Sequence, residues 1–174
     1  VPRTGNADRT LHTGIELDAG FRLAAGLQLR LNATLSRNRF KRFREFVSNP
    51  DFTTEQVDRA ENPIAGFPDE SGNLGVTYLK NGLSLDVNAT FVGEAYVDNS
   101  AGLLPDGSRT DDLVIDPYTM VNAAVAYEFG TRSLFSGVRA NIALNNVLDR
   151  KILSFGNVGA VGPQFFPEAT RHLY

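Results

Sequence analysis

The sequence predicts an all-β fold, an antiparallel transmembrane β-barrel segment of about seven strands. Two observations predict it: apolar and polar residues alternate with a period of two in successive runs, and the connections between runs alternate between very short and very long. Successive strand side chains point to opposite faces, so each run has one oily side and one wet side. Short turns gathered on one rim and long loops on the other is the arrangement of bacterial outer-membrane barrels.

The first run places Ile15, Leu17, Ala19, Phe21 and Leu23 on one face against Glu16, Asp18, Gly20 and Arg22 on the other. At ~3.3 Å per residue it spans roughly 30 Å, or about 23 Å after a tilt of ~40°, which matches the apolar band of such a barrel. The second alternates Leu27, Leu29, Leu31, Ala33 and Leu35 with Gln28, Arg30, Asn32, Thr34 and Ser36. A shorter run carries Leu74, Val76 and Tyr78. The next sets Leu83, Leu85, Val87, Ala89 and Phe91 against Ser84, Asp86, Asn88 and Thr90. Val121, Ala123, Val125, Tyr127 and Phe129 then oppose Asn122, Ala124, Ala126 and Glu128, and Val138, Ala140, Ile142 and Leu144 oppose Arg139, Asn141, Ala143 and Asn145. A seventh strand is expected from Ala169 to Tyr174. Leu31, Val87 and Val125 should therefore face lipid, and Arg30, Asp86 and Asn122 the lumen.

Tight turns are expected at 24–26, at 80–82 with its Asn81-Gly82 hairpin signal, and, somewhat longer, at 130–136. Long structureless loops are expected at 41–71, 97–117 and 149–168. In the first, Thr53 and Gln56 have capping-box spacing and predict a short helix over 54–60. The first loop sets four basic residues against seven acidic ones and the second sets Arg109 against five aspartates, while the whole chain is only −3. The remainder is therefore basic.

A sheet with one wholly apolar face and two unpaired edges is not a stable object in water, and no helical segment is available to cover it. Continuation into further strands and closure removes both edges. The 174-residue chain begins without Met and stops inside a strand, so we expect a segment of a longer protein. No run of about eighteen apolar residues is present that would make a transmembrane helix. The absence of Cys removes disulfides and thiolate chemistry, and the acidic balance excludes nucleic acid as a partner. There is no Trp for an interfacial girdle, but Phe40, Phe91, Tyr96, Tyr118, Tyr127 and Phe129 fall near strand ends where one is expected.

Several segments, taken in order, resemble the C-terminal end of TonB-dependent outer-membrane receptors. Thr13-Gly14-Ile15-Glu16-Leu17 resembles that family's strand opening. Ala65-Gly66-Phe67-Pro68 with Asn73-Leu74-Gly75-Val76-Thr77-Tyr78 is similar to its return from a long loop. Tyr118-Thr119-Met120-Val121-Asn122 is similar to a strand start, and Asn145-Asn146-Val147-Leu148-Asp149-Arg150-Lys151 to the strand-to-loop signature. Phe166-Pro167 and Arg171-His172-Leu173-Tyr174 resemble the approach to the closing strand. The resemblance implies that residues 1–174 are the C-terminal part of a receptor barrel of roughly 22 strands. It further implies energy-coupled import of a scarce ligand such as a ferric siderophore, cobalamin or an oligosaccharide, in the outer membrane of a Gram-negative bacterium. The plug domain and energy-coupling segment are not in this chain. The expected partners are outer-membrane lipid and lipopolysaccharide, a small-molecule ligand, and the TonB energy-coupling protein through the missing plug region.

No enzyme activity and no cofactor are expected. His12 and His172 stand at strand ends without a nucleophile motif nearby, and read as polar rim or lumen residues. Asp106, Asp111, Asp112 and Asp116 lack EF-hand spacing and read as a solvated acidic loop, so no metal site is assigned. Glu16, Asp18, Arg22, Arg30, Asn32, Asp86 and Asn88 supply the polar wall that a wet interior requires. Arg37, Arg39, Lys41, Arg42 and Arg44 form a basic group at the outer rim, fit either to bind anionic lipopolysaccharide or ligand groups or to neutralise the acidic loops. Strand faces are committed to lipid and lumen, so ligand contacts should fall on loops. Aromatics and arginine at the rim bury area and orient a ligand with little entropy loss, which selects Tyr96, Arg109, Phe155, Phe165 and Phe166; girdle or loop packing is the alternative role for the aromatics. The rival readings are a passive porin or structural barrel, an outer-membrane hydrolase, and a soluble β-sandwich binding module.

Overall fold

The computed structural model describes residues 7–48, 53–104, 107–130, 134–159 and 162–174. Its strands in chain order are β1 (Arg9–Ala24), β2 (Leu27–Arg42), β3 (Arg44–Ser48), β4 (Thr54–Asp58), β5 (Glu70–Lys80), β6 (Leu83–Val92), β7 (Ala95–Tyr96), β8 (Val114–Ile115), β9 (Tyr118–Glu128), β10 (Arg139–Asn145), β11 (Leu153–Gly159), β12 (Gly162–Pro167) and β13 (His172–Leu173). One seven-stranded sheet runs β1-β2-β5-β6-β9-β10-β13, antiparallel throughout and open at both edges.

The register joins the alternating runs into continuous rows. Phe21, Leu29, Val76, Val87 and Ala123 face one way in a single row, and Ala19, Leu31, Leu74, Ala89 and Val121 form the next. Asp18, Asn32, Asn73, Thr90 and Met120 make a row on the opposite face, beside Gly20, Arg30, Gly75, Asn88 and Asn122. Pairing in register keeps like faces together because a slip of one residue would exchange them. Leu31, Val87 and Val125 thus lie opposite Arg30, Asp86 and Asn122, as the alternation predicts.

The two faces differ in how they are satisfied. On the polar face Asn73 Nδ2 donates to Asn32 Oδ1 (3.0 Å), Thr90 Oγ1 donates to Asn73 Oδ1 (2.6 Å), and Asp86 accepts from Thr77 (2.8 Å) and Ser84 (2.9 Å). The apolar face has no cover: Ile15 is 73% exposed and Leu35 59%. Buried apolar side chains among the described residues are few, and Phe40, Phe43, Ala95, Ile115 and Ile152 lie at the loop end rather than on the sheet's apolar face. The β-sandwich reading fails here, since that would require two apolar sheet faces packed together.

The short turns match expectation. Asn81 and Gly82 both have positive φ (52° and 83°), the requirement of a two-residue hairpin turn. Gly26 at φ 84° packs so closely on Leu79 that a Cβ would overlap the Leu79 carbonyl, while its own carbonyl accepts from Leu79 N at 2.7 Å. Of the turn expected at 130–136, residues 131–133 lie outside the described residues.

Several expectations are corrected. The helix over 54–60 is instead β4, which pairs with β3 from Arg44↔Asp58 to Ser48↔Thr54, tied at one end by Arg59 Nε to Glu45 Oε2 at 2.9 Å. A helix of two turns is marginal in water, whereas a hairpin on the ends of long strands satisfies the same backbone groups with inter-strand bonds. The long loops are not structureless: the first and third hold the two-stranded sheets β3-β4 and β11-β12, and the second is closed by β7-β8, with β7 just ahead of residue 97. Phe40 is not an interface aromatic, being 5% exposed and stacked on Phe43 with ring centroids 4.7 Å apart. Tyr118 pairs with Val92 in a polar-face row and Tyr96 lies in the loop strand β7 outside the main sheet, which leaves the girdle to Phe91, Tyr127 and Phe129. The last strand is shorter than expected, with β13 confined to His172–Leu173, although Tyr174 and Ala143 still exchange two backbone bonds (2.9 and 3.2 Å).

Candidate ligand-binding rim

β1 and β2 run 16 residues each, longer than the apolar band requires, and carry the wall past it at the loop end. There the chain returning from β4 lies alongside β2, with Phe40 N donating to Asn62 O (3.1 Å) and Ile64 N to Asn38 O (3.1 Å). The next layer follows through Gly66 N to Tyr96 O (2.9 Å), and the next through Val97 N to Leu113 O (3.0 Å). The loops are thus laid side by side as a short extension of the barrel wall.

This stacking brings Tyr96 and Arg109 together. The Tyr96 hydroxyl donates to Glu94 Oε1 at 2.6 Å and lies within hydrogen-bonding reach of Arg109. The bond to Glu94 holds the phenol above the ordinary tyrosine range; burial and the carboxylate charge add to this, and Arg109 acts against it. Tyr96 borders a cavity of about 380 Å³ whose lining includes Arg39, Phe67, Asp69, Glu70, Phe91 and Glu94. Arg39 is held there by a bidentate pair with Asp69 (2.6 and 3.1 Å). Phe67 and Glu94 were not assigned to a site from sequence, and Arg39 was read only as one of the basic rim group; Phe67 lies within a segment that resembled only a strand re-entry.

Phe155 and Phe166 face each other across β11 and β12, ring centroids 5.6 Å apart and both about half exposed. Phe165 pairs with Gly156 and so occupies the reverse face of that hairpin. Gly156 packs on Val97, where a Cβ would overlap the valine methyl, and this contact sets the third loop against the second. The five selected residues are therefore two groups, Tyr96 with Arg109 and Phe155 with Phe166, with Phe165 turned away from the second.

Two members of the basic group take the neutralising role. Arg39 and Lys41 neutralise loop carboxylates, Lys41 Nζ lying 2.7 and 2.9 Å from the two oxygens of Glu61. Arg42 and Arg44 line a second cavity of about 690 Å³ with Asp8, Lys41, Phe46 and Asp58. Arg37 is exposed beside Thr13, Ile15 and Leu35, at the upper margin of the apolar face. The bond from Lys41 lowers the Glu61 carboxyl from its ordinary range; desolvation opposes this, and the charges of Lys41, Arg37 and Arg39 reinforce it. A group depressed in the folded state stabilises above its unfolded pKa and loses that contribution as pH falls through the folded value. A carboxyl titration by NMR should give Glu61 a midpoint below the ordinary glutamate value, and Lys41→Met should raise it; an unchanged midpoint would show the ion pair to be absent in solution.

Neither histidine is set up for catalysis. His12 Nδ1 meets Asn38 Oδ1 at 2.8 Å and Nε2 meets Thr10 Oγ1 at 3.2 Å; His172 meets the Thr170 carbonyl and the Tyr174 hydroxyl, each at 2.7 Å. Thr110 caps the 3₁₀ turn Asp111–Leu113 by accepting from Asp112 N (3.1 Å), and Asp106 lies outside the described residues. Among the described residues no group of three His, Cys, Asp or Glu is close enough to hold a metal ion.

The strand-to-loop signature has a physical basis. Asn146 is 1% exposed, at φ 49°, and its amide donates to Arg150 O (2.8 Å) and Ala169 O (3.3 Å) while its oxygen accepts from Arg150 N (3.1 Å). Its backbone N donates to Asn122 Oδ1 at 2.9 Å, which links the signature to the strand start at 118–122. One side chain thus closes the turn out of β10 and pins the chain returning towards β13.

The profile of the family described as TonB dependent receptor-like, beta-barrel matches residues 2–147. Among solved structures the chain is similar to the ferric citrate transporter FecA in its unliganded form, at 20% identity and TM-score 0.72, over 94% of this chain and 23% of that one. It is similar also to the ferric yersiniabactin uptake receptor FyuA from Yersinia pestis (17%, TM-score 0.68, 94% of this chain and 22% of that one). A third is the siderophore receptor PiuA from Acinetobacter baumannii (14%, TM-score 0.71, 94% and 21%). At these identities the likeness concerns the fold, and the chain spans less than a quarter of the length of each neighbour. The family and these neighbours are transport receptors rather than enzymes, which removes the hydrolase reading. The uncovered apolar face, the strand order and the profile agree, and this chain belongs to the TonB-dependent receptor β-barrel family.

Proposed function

We propose that the chain is the C-terminal part of the barrel of an outer-membrane, energy-coupled import receptor whose ligand is a ferric siderophore, with cobalamin and oligosaccharide as the alternative cargoes. The observation that carries this is the family match over residues 2–147, joined to neighbours named for ferric citrate, ferric yersiniabactin and siderophore uptake. The location that follows is the outer membrane of a Gram-negative bacterium, with lipid along the apolar face. Lipopolysaccharide would meet exposed Arg37 above Leu35, and TonB would act through a plug outside this chain. Deletion of the full-length gene should abolish high-affinity uptake of the iron-loaded ligand, and loss of TonB should do the same. Passage that survives TonB loss and rises linearly with concentration would favour the passive porin instead.

The ligand contacts in this reading are Tyr96 and Arg109, with Phe155, Phe165 and Phe166 on the neighbouring loop. The first two long loops are acidic, so by electrostatic steering they suit a neutral or cationic ligand better than a strongly anionic one. In the full-length receptor, Tyr96→Ala with Arg109→Ala should weaken ligand binding by about tenfold or more, the scale of a rim hot spot, and leave heat-modifiable migration of the barrel unchanged. Unaltered affinity would remove both residues from the site, and loss of the migration shift would make their role structural.

A further inference from the structure

The turn between β9 and β10 differs from the other two at the same end of the sheet. Those are tight and built on Ala25-Gly26 and Asn81-Gly82. This one exposes Leu134 completely (101%) and Phe135 at 60%. Phe135 stacks on Phe129 with centroids 5.6 Å apart, and Phe129 in turn meets Tyr127 edge-on at 5.1 Å. Tyr127 pairs with Leu83 and Ala140 on the apolar face of the sheet. Phe129 N donates to Val138 O at 3.0 Å, which keeps Val138 beside it. On the opposite face the flanking pair is Glu128 with Arg139. The described part of the turn therefore prolongs both faces of the wall, apolar outside and charged inside.

We propose that Leu134 and Phe135, backed by Phe129 and Tyr127, form a lipid anchor that dips into the periplasmic leaflet of the membrane. This rests on the outer-membrane reading above. The occupant is phospholipid because the aromatic chain is continuous with the lipid-facing rows, and an amphipathic aromatic followed by an apolar tip is suited to the membrane–water interface.

The test is nitroxide scanning of the full-length receptor in phospholipid vesicles, with single labels at Leu134→Cys, Val87→Cys and Ala25→Cys in a background otherwise free of cysteine. Leu134 should resemble Val87, open to oxygen and shielded from a water-soluble nickel chelate several-fold more than Ala25. A Leu134 label as open to the chelate as Ala25, with Val87 still shielded, would overturn the anchor and leave the membrane reading intact. It would turn the patch towards a periplasmic protein partner. A Val87 label open to the chelate would overturn both.

Discussion

Val87→Arg should destabilise the folded barrel by about 2–4 kcal/mol, the measured scale for a guanidinium on the lipid side near the bilayer midplane. Val87 sits midway along β6, in the row with Leu29, Val76 and Ala123. Its neighbours are all apolar, so the introduced charge finds no partner and must deform the bilayer or snorkel along the strand. One residue away, Asp86→Asn should cost little, because Asp86 faces the wet side: the amide oxygen keeps the bond from one of the two hydroxyls, Thr77 or Ser84, and the NH2 group donates to the other. Urea titration of the full-length receptor in phospholipid vesicles reads both. A larger loss at Asp86 than at Val87 would mean that the faces are assigned the wrong way round.

Asn146→Ala is expected to have the second largest effect. It removes a side chain that is 1% exposed and makes two donor bonds and one acceptor bond. Each buried group left without a partner costs about 1–3 kcal/mol. Alanine also tolerates φ 49° less well than asparagine, whose αL preference suits the turn. Asn146→Asp should be no better, since the carboxylate keeps the bond from Arg150 N but loses both donors and faces the Arg150 and Ala169 carbonyls. The expected readout is rapid proteolysis within 150–170 together with a lower urea midpoint. Wild-type protease resistance in both variants would show that the backbone bonds, such as Val147 N to Val121 O (2.7 Å), hold the turn without the side chain.

Much of the wall was legible in the sequence because two local rules write it directly. A period of two separates the faces, and Asn81-Gly82 with its positive φ values dictates where one hairpin reverses. Leu31, Val87 and Val125 could therefore be assigned to lipid without knowing which strands pair. The family's segments were legible for the same reason, being short and local, and Asn146 now shows what one of them does. Tyr96 and Arg109 were chosen for their chemistry alone, and their meeting depends on a chain reversal through β7 and β8 that no local pattern announces.

What the sequence could not decide is long-range. The hairpin β3-β4 displaced an expected helix because residues 54–58 found partners at 44–48, and a capping-box spacing carries no knowledge of that alternative. Phe40 and Tyr118 were placed at the interface by their position near strand ends, yet Phe40 turns to Phe43 and Tyr118 shares a polar-face row with Val92. The role of the basic rim was likewise open until Asp69 and Glu61, some 20 to 30 residues away, came to rest on Arg39 and Lys41. Alternation along one strand is a property of that strand, and the sequence by itself determined it. Which loop lies on which, and so which side chains share a cavity at the rim, is settled by pairings between distant segments, and only the tertiary structure decided those.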